Sequence, residues 1–368
     1  MTATAVDQQP VTPPRAVVYR PESAVFWVFV VALVVGVTGV VAEFGAAVRE
    51  TLDAQVALGP VWLGFMAFLV WLILRFDTFR SARCYPQALA ASAALGGSTA
   101  LVMALNGNDA LGQLWAAVLP PEVFAAWNAA LTAPFMEEAA KATCAAVILV
   151  LCAAVLNRIA HALVVGMFVG LGFDVMEDLV YASRDAINSL DSDLSGAGEN
   201  LAVRIFTAVP AHWAYTSLAS VGVLVLLNSF NHRTTWPWWR RFAVAGVMFA
   251  SASFMHFVWD SPNGSDGSAL LVLTAKIAIN LLVFLTAVLV LLRDERQWVT
   301  MRVVEARDGG RLADIEPAVL DSLPTRRLRR RLRRQARRAG GRSARKAMRH
   351  RQNQALDRIQ ALDDSRGD

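Results

Sequence analysis

Long uncharged stretches alternate with short polar segments over most of the chain. The first such stretch lies between Glu22 and Glu43. A helix of about 20 predominantly apolar residues is long enough to cross the hydrocarbon core of a bilayer. The pattern predicts an all-α, polytopic membrane protein with about eight transmembrane helices, at residues 23–42, 54–74, 84–104, 135–157, 159–182, 205–231, 242–260 and 268–292.

The segment from Asp109 to Pro134 is apolar as well, but Pro120, Pro121 and Glu122 interrupt it. Proline removes a backbone hydrogen-bond donor, and irregular backbone is tolerated at membrane depth only where protein or water surrounds it. We therefore expect an interfacial or re-entrant segment here rather than a ninth span.

The loops between the predicted spans carry charges of alternating sign. Arg15 and Arg20 precede the first span, Glu43 and Glu50 follow it, and the next loop carries arginines again. Lysine and arginine are enriched in loops on the cytoplasmic side. With eight spans, both termini are predicted to be cytoplasmic.

Composition supports a membrane protein and divides the chain. Of the 368 residues 55% are hydrophobic and 18% are charged, which is too apolar for a soluble enzyme of this length. Residues 325–351 carry 14 of the 35 lysines and arginines and no acidic residue, so they account for the net charge of +5. The predicted organisation is a flexible cytoplasmic N-terminus over residues 1–22, a transmembrane core over 23–292 and an arginine-rich cytoplasmic tail over 293–368.

The arginine-rich segment Arg326–Arg351 is expected to be helical and to adhere to anionic lipid of the cytoplasmic leaflet. Each basic residue near such a surface contributes roughly 1 kcal/mol. Contact with nucleic acid is the alternative, because an arginine run is also typical of phosphate binding. No aromatic Phe, Tyr or Trp is interleaved with these arginines, so we do not expect a nucleic acid partner.

Ionisable residues lie inside the predicted spans, where a charge costs a few kcal/mol and marks a functional candidate. Glu137 and Glu138 begin one span on the outer side. With a rise of 1.5 Å per residue, four more groups fall about 9–12 Å below the outer end of their helices: Glu177, His212, His256 and Lys276. The sequence therefore predicts one polar layer in the outer leaflet, built from non-adjacent segments.

Helical spacing gives each candidate a neighbour on its own face, because residues four apart are adjacent on a helix surface. A carboxylate beside a histidine often fixes the tautomer of the imidazole. Small residues such as Gly166, Gly170 and Gly172 predict a close approach of another helix. The pairs on shared faces are Glu137 with Lys141, Phe173 with Glu177 and Tyr181, His212 with Thr216, and His256 with Asp260.

Each of these features also has a conservative interpretation. Pro134 followed by two glutamates is typical of an ordinary helix start. Asp174 and Asp178 are expected to be solvated or structurally paired, and Arg204 and Lys276 to neutralise carboxylates. These interpretations leave the convergence of several charges at one depth unexplained.

Two histidines and two or three carboxylates in a membrane pocket can supply a general base, metal ligands or a proton relay. The HExxH zinc motif and a GxSG-like serine loop are absent from the sequence. The segment 170–174 resembles the aspartyl GxGD pattern but has one residue too many. These three classes of intramembrane hydrolase are disfavoured.

Four motifs follow one another on successive predicted helices: Glu137-Glu138-x-x-Lys141, Phe173-x-x-x-Glu177-Asp178-x-x-Tyr181, Arg204 ahead of His212-x-x-x-Thr216, and His256-x-x-Trp259-Asp260. Together, over residues 130–265, they resemble the PrsW family of bacterial intramembrane proteases. That family lies within a clan that includes the CAAX prenyl endopeptidases and the bacteriocin-protection proteins. Glu177 stands where the prenyl endopeptidases have histidine, which favours the PrsW branch.

The resemblance implies an intramembrane peptidase of the bacterial cytoplasmic membrane. It would cleave a membrane-anchored protein near the extracytoplasmic face, as in regulated cleavage of an anti-sigma factor. Our hypothesis is attack by an activated water, with Glu137 as general base and Glu138 in support. Glu177, His212 and His256 then either hold a divalent metal, zinc being the expected ion, or orient water and the oxyanion without metal. The supporting residues would be Lys141, Phe173, Tyr181, Arg204, Thr216 and Asp260.

A proton-coupled membrane transporter is the main alternative, because buried Glu, His and Lys are equally typical of carriers. No internal repeat or inverted symmetry is visible in the sequence, which counts against a carrier. A scaffold that recruits partners through its basic tail would leave the buried acids unexplained.

Overall fold

The computed structural model describes residues 17–264 and 266–364. The predicted flexible N-terminal segment falls mostly on residues 1–16, which lie outside the described residues. Within the described ranges the regular structure is helical, as the sequence predicts. The helices are α1 (Ala24–Glu50), α2 (Leu52–Phe76), α3 (Pro86–Val118), α4 (Pro121–Leu151), α5 (Ile159–Asn188), α6 (Asp193–Thr207), α7 (His212–Leu226), α8 (Trp238–Asp260), α9 (Ala269–Asp308), α10 (Pro317–Ser322) and α11 (Arg326–Asp364).

The chain is a polytopic helical membrane protein, but fewer helices qualify as spans than the eight predicted. Among the described residues, six are long and apolar enough to cross a membrane, namely α1, α2, α3, α5, α8 and α9. Helices α6 and α7, bent by 51°, make a seventh if they count as one span. The remaining predicted span falls in α4, whose composition is interrupted by Glu137, Glu138 and Lys141.

Helix α4 begins earlier than the sequence predicts. Pro120 is extended, Pro121 occupies the first helical position, and the helix then runs through Pro134 without a break. Proline at the first position leaves no backbone donor unpaired, whereas Pro134 costs one internal hydrogen bond. The segment expected to be interfacial or re-entrant therefore consists of the ends of α3 and α4, and Pro134 is not a helix start.

Helices α3 and α4 form a hairpin that is held by polar contacts. The indole nitrogen of Trp115 donates to the Leu131 carbonyl at 3.2 Å. About two turns further along the hairpin, the Asn108 amide donates to Glu137 Oε1 at 3.1 Å. The hairpin thus fixes the rotation of α4 about its axis at the glutamate pair.

Helix α5 is the centre of the bundle and is buried along most of its length. Its glycines confirm the predicted close packing, because a Cβ at Gly170 would lie 2.4 Å from the His212 carbonyl oxygen of α7. A Cβ at Gly172 would lie 1.9 Å from the Ala93 carbonyl oxygen of α3. Opposite, α3 contains a π-helical turn over Gly96–Ala100 that also contacts α5. Backbone-to-backbone contact of this kind requires the absence of a side chain.

The C-terminal segment packs against the rest of the chain. Helix α9 continues past residue 292, and α10 and α11 follow it. Helix α11 breaks at Gly340 and Gly341, where Gly341 has a φ of 72°. A second apolar cluster joins these helices to the α2–α3 loop, with Phe79, Trp298, Val299, Leu320, Leu356 and Ile359 among its members.

Two polar contacts reinforce this docking. The Arg80 guanidinium donates to Asp357 at 3.0 Å. The Gln360 side-chain amide donates to the Phe79 carbonyl at 3.0 Å. The arginine-rich segment is therefore anchored to a specific loop.

Replacing Gly172 with alanine should destabilise the protein by about 1–3 kcal/mol, because the added methyl group would overlap the α3 backbone. Gly64→Ala on α2 is the matched control, since a Cβ there meets open space and alanine is favoured in a helix by about 1 kcal/mol. Thermal unfolding of the detergent-solubilised variants measures both effects. Equal midpoints for the two variants would contradict the close α3–α5 contact.

Candidate active site

Four helices bring the predicted site residues together in the interior. Helix α4 supplies Glu137, Glu138 and Lys141, α7 begins with His212, and α8 carries His256 near its end. All five residues are buried. Helix α5 adds Glu177, whose side chain is 15% exposed. The convergence that helix depth predicts is thus present in the fold.

The Lys141 ammonium lies at the centre of this cluster and is completely buried. Its Nζ is 2.7 Å from Glu138 Oε1, 3.3 Å from Glu137 Oε2 and 2.8 Å from His212 Nδ1. The Phe173 ring lies against it, with Nζ 4.1 Å from the ring centroid. A buried charge is tolerated only when it is paired in this way.

His256 lies between two carboxylates. Its Nδ1 is 3.1 Å from Glu138 Oε1, and its Nε2 is 3.3 Å from Asp260 Oδ2, on the face that the four-residue spacing predicts. The other oxygen of Glu138 accepts a hydrogen bond from the Thr216 hydroxyl at 3.2 Å. The predicted supporting residues Thr216 and Asp260 are therefore in contact with the cluster.

His212 is held by both its side chain and its backbone. Its Nε2 is 3.1 Å from Glu177 Oε2. Its backbone N–H donates to Asp174 Oδ1 at 3.2 Å, and the Trp213 N–H donates to Asp174 Oδ2 at 3.1 Å. Asp174 thus satisfies two of the free N–H groups at the start of α7. The conservative interpretation of Asp174 as a structural partner agrees with these contacts.

Arg204 on α6 closes the outer side of the site. Its Nη1 is 3.4 Å from Glu177 Oε2 and its Nε is 3.2 Å from Asp178 Oδ1. Its guanidinium also lies over the Tyr181 ring, 4.5 Å from the centroid. The expectation that Arg204 neutralises carboxylates agrees with this geometry. Asp178 and Tyr181 thus each have Arg204 as a partner.

Lys276 departs from the sequence prediction. Its ammonium donates to the Trp259 carbonyl at 3.0 Å, to the Ser261 carbonyl, and to Asn263 Oδ1 at 2.9 Å. These acceptors lie at the C-terminal end of α8, where exposed carbonyls attract a cation. Lys276 therefore caps a helix end rather than joining the polar cluster.

Glu137, His212 and His256 lie close enough together to hold one metal ion. One ligand atom from each lies within 4.8 Å of the other two, and all three residues are buried. Glu137 Oε2 is 3.8 Å from His212 Nδ1 and 3.7 Å from His256 Nε2. The sequence hypothesis put Glu177 in this set, but Glu177 is not a member of the group and contacts the opposite nitrogen of His212.

Sequence reasoning missed Asn108, which contacts Glu137 from α3. It also missed Asn280 on α9, whose amide donates to the Tyr215 hydroxyl at 3.3 Å and to the Met255 carbonyl at 3.0 Å. Both are neutral, so a search for charges in apolar segments passes over them. A buried asparagine inside a span is itself a signal, because its amide needs partners in a medium that offers none.

Asp174→Ala should destabilise the protein by about 1–2 kcal/mol, since it removes the acceptor of two N–H groups at the start of α7. The same substitution at Asp109, an exposed residue of α3, should change the free energy of unfolding by less than about 0.5 kcal/mol. Thermal unfolding in detergent gives both values. A loss at Asp174 no larger than that at Asp109 would show that Asp174 does not cap α7.

Comparison with known proteins gives one family match. The family model described as PrsW family intramembrane metalloprotease matches residues 85–292, more than half of the chain and all of the site helices. Searches of curated proteins and of solved structures found no significant match. The motif resemblance and the family match agree, and the chain belongs to the PrsW family of intramembrane metalloproteases.

Proposed function

We propose that this protein hydrolyses a peptide bond of a membrane-anchored protein, with a water activated at Glu137, His212 and His256. The observation that carries the proposal is that one carboxylate and two imidazoles lie close together in the interior. Each imidazole also contacts a further carboxylate through its other ring nitrogen. A family membership that implies proteolysis supports the same reaction.

The donor set fits a divalent metal, and zinc is the ion we propose. Two histidines and one glutamate are a common ligand set of catalytic zinc. Ligands bound to zinc at tetrahedral angles lie about 3.3 Å apart, so the separations of 3.7 and 3.8 Å between Glu137 and the two imidazoles need a small contraction. The Lys141 ammonium, 2.8 Å from His212 Nδ1, would have to move away for that nitrogen to bind the ion. When bound, such an ion would lower the pKa of a water molecule and polarise the scissile carbonyl.

The surrounding residues orient the three proposed ligands. Glu138 contacts His256 Nδ1, which leaves Nε2 facing Glu137 and Asp260. Glu177 contacts His212 Nε2, which leaves Nδ1 facing Glu137 and Lys141. Carboxylates in these positions fix the tautomer of each imidazole. We therefore assign Glu177 and Glu138 as positioning residues.

Glu137 is the residue on which both versions of the mechanism depend. Its Oε2 faces both imidazoles, so it either binds the ion or, in a reaction without metal, accepts the proton of the attacking water. Lys141 contacts the same oxygen and balances the negative charge of the glutamate pair.

We further propose that cleavage takes place near the extracytoplasmic face of a bacterial plasma membrane, within a transmembrane core over residues 23–292. Arg158 and the arginine-rich helix α11 lie at the end of the bundle where α5 begins. Glu177 lies toward the other end of α5. Because arginine is enriched on the cytoplasmic side, the site would face outward and the C-terminal helices inward. A single-pass regulator of the anti-sigma type is a substrate suited to this geometry.

Elemental analysis of the purified protein tests the metal. We expect about one zinc or similar ion per chain, lost in Glu137→Gln and His256→Ala. Glu177→Gln should retain the ion with an affinity about 10–100-fold lower, because Glu177 only positions His212. Glu122→Gln, an exposed glutamate of the same helix as Glu137, is the control. Retention of a full equivalent of metal by folded Glu137→Gln would rule out Glu137 as a ligand.

Comparison of membrane proteins in cells that express the wild type or Glu137→Gln tests the reaction. Single-pass proteins cleaved by the wild type should accumulate at full length with the variant, whose cleavage rate we expect to fall at least about 100-fold. Glu122→Gln should cleave like the wild type. Undiminished cleavage by a Glu137→Gln variant would exclude the assigned role. Absence of any cleavage product, together with proton-coupled flux in vesicles, would favour a carrier instead.

A further inference from the structure

A cavity of about 680 Å³ lies away from the candidate active site, between the α2–α3 loop and the two halves of α11. Eleven arginines line it. They come from the end of α2 and its loop and from both halves of α11: Arg75, Arg80, Arg83, Arg326, Arg329, Arg330, Arg333, Arg334, Arg337, Arg345 and Arg349.

The carboxylates near this cavity do not balance its charge. Asp77, the one acidic residue among the lining residues the structure describes, accepts from Ser81 N–H at 2.7 Å and lies 3.4 Å from Arg83. Asp357 pairs with Arg80. Within the described part of the chain, no carboxylate lies at ion-pair distance from the other nine lining arginines, among them Arg330, Arg334, Arg337, Arg345 and Arg349.

The fold brings these like charges, although exposed, to one side of the folded α11. The break at Gly340 and Gly341 folds the second half of α11 back on the first. Arg333 Nε donates to Gln352 Oε1 at 2.6 Å, which fixes the two halves against each other. Burial, together with the nearby charges of Arg333 and Arg326, lowers the pKa of Arg329 to about 10. Like charges held this closely repel one another unless anions lie between them.

The cavity forms where the two halves of α11 pack on the α2–α3 loop. Arg329 is itself buried, and its guanidinium donates to the Leu323 carbonyl at 2.5 Å and to the Thr78 carbonyl at 3.2 Å. Leu74 and Arg75, which also line the cavity, are at the end of α2, a candidate membrane span. The cavity therefore lies where a membrane span meets water.

We propose that this arginine-lined cavity binds a phosphate-bearing anion. Guanidinium groups bind phosphate oxygens through paired, charge-assisted hydrogen bonds, and several converging arginines suit a ligand with more than one negative oxygen. The phosphate belongs either to the headgroup of an anionic lipid, reached from the end of α2, or to a soluble polyphosphate. A long nucleic acid fits less well, because no aromatic ring among the described residues lines the cavity.

The full-length protein in neutral detergent tests the proposal in two arms. Inorganic tripolyphosphate is titrated in one arm by calorimetry, and phosphatidylglycerol is added in the other and counted by native mass spectrometry. Saturable binding in either arm supports the proposal. Binding of tripolyphosphate identifies a soluble ligand, and binding of the lipid alone identifies a headgroup.

Matched triple variants of α11 locate the binding. Arg330→Gln, Arg334→Gln and Arg337→Gln together remove three cavity arginines, whereas Arg327→Gln, Arg331→Gln and Arg338→Gln remove three exposed arginines of the same helix that do not line the cavity. The cavity variant should bind at least about tenfold more weakly, and the control less than about threefold. Equal losses in the two variants would mean diffuse attraction to charge and would overturn the proposal, as would an absence of binding in both arms.

Two further measurements keep the test decisive if the cavity variant does not fold. In the wild type, the bound anion should protect Arg334 and Arg337 from modification by phenylglyoxal while Arg331 stays reactive, as mapped by mass spectrometry. Equal reactivity with and without anion would contradict the site. A single-stranded RNA that binds through both sets of arginines, and that tripolyphosphate does not displace, would identify a nucleic acid surface instead and overturn the proposal.

Discussion

A single ammonium group, that of Lys141, lies in contact with both glutamates of α4 and with a histidine of α7. In the interior of a membrane protein neither sign of charge is stable alone, and removal of one partner from a buried pair costs about 3–5 kcal/mol. Glu137 and Glu138 can therefore be buried only because Lys141 is buried with them. The position of α4 and α7 relative to each other follows from this requirement.

Close packing of the helices brings these charged groups into contact. His212 reaches Lys141 because α7 lies directly on α5, where Gly170 leaves room for the backbone of His212. Asp174, one turn further along α5, holds the first N–H groups of α7. Gly170 thus lets the α7 backbone approach α5 closely, and Asp174 fixes the position of α7 along α5.

Sequence reasoning located the polar cluster but not its internal arrangement. Depth along a helix follows from counting residues, so the convergence of His212, His256 and the glutamates was predictable. Rotation about the helix axis does not follow from counting, so the sequence hypothesis grouped Glu177 with the two histidines, whereas Glu137 is the carboxylate that lies within 4.8 Å of both. Lys276 was misplaced because the carbonyls at a helix C-terminus also attract a cation.

The same limit applies to the longer-range features. Proline usually predicts a helix boundary. In α4 that boundary lies at Pro120 and Pro121, and the helix continues through Pro134. The arginine-rich segment was expected to adhere to anionic lipid, since the residues that dock it on the protein are few and scattered among charges. Its folding back on the α2–α3 loop depends on Gly340 and Gly341 and on apolar partners far away in the chain.

The docking of α11 also bears on the order in which the protein assembles. Gln360 and Phe79, which are joined by a hydrogen bond, are 281 positions apart in the chain. The α2–α3 loop is synthesised early, and its partner emerges only after α9 has been made. Non-local contacts of this length form late, because a large loop must close before they contribute. The membrane helices can therefore be inserted and packed before the C-terminal helices dock, and the arginine-lined cavity is completed only in the final stage of folding.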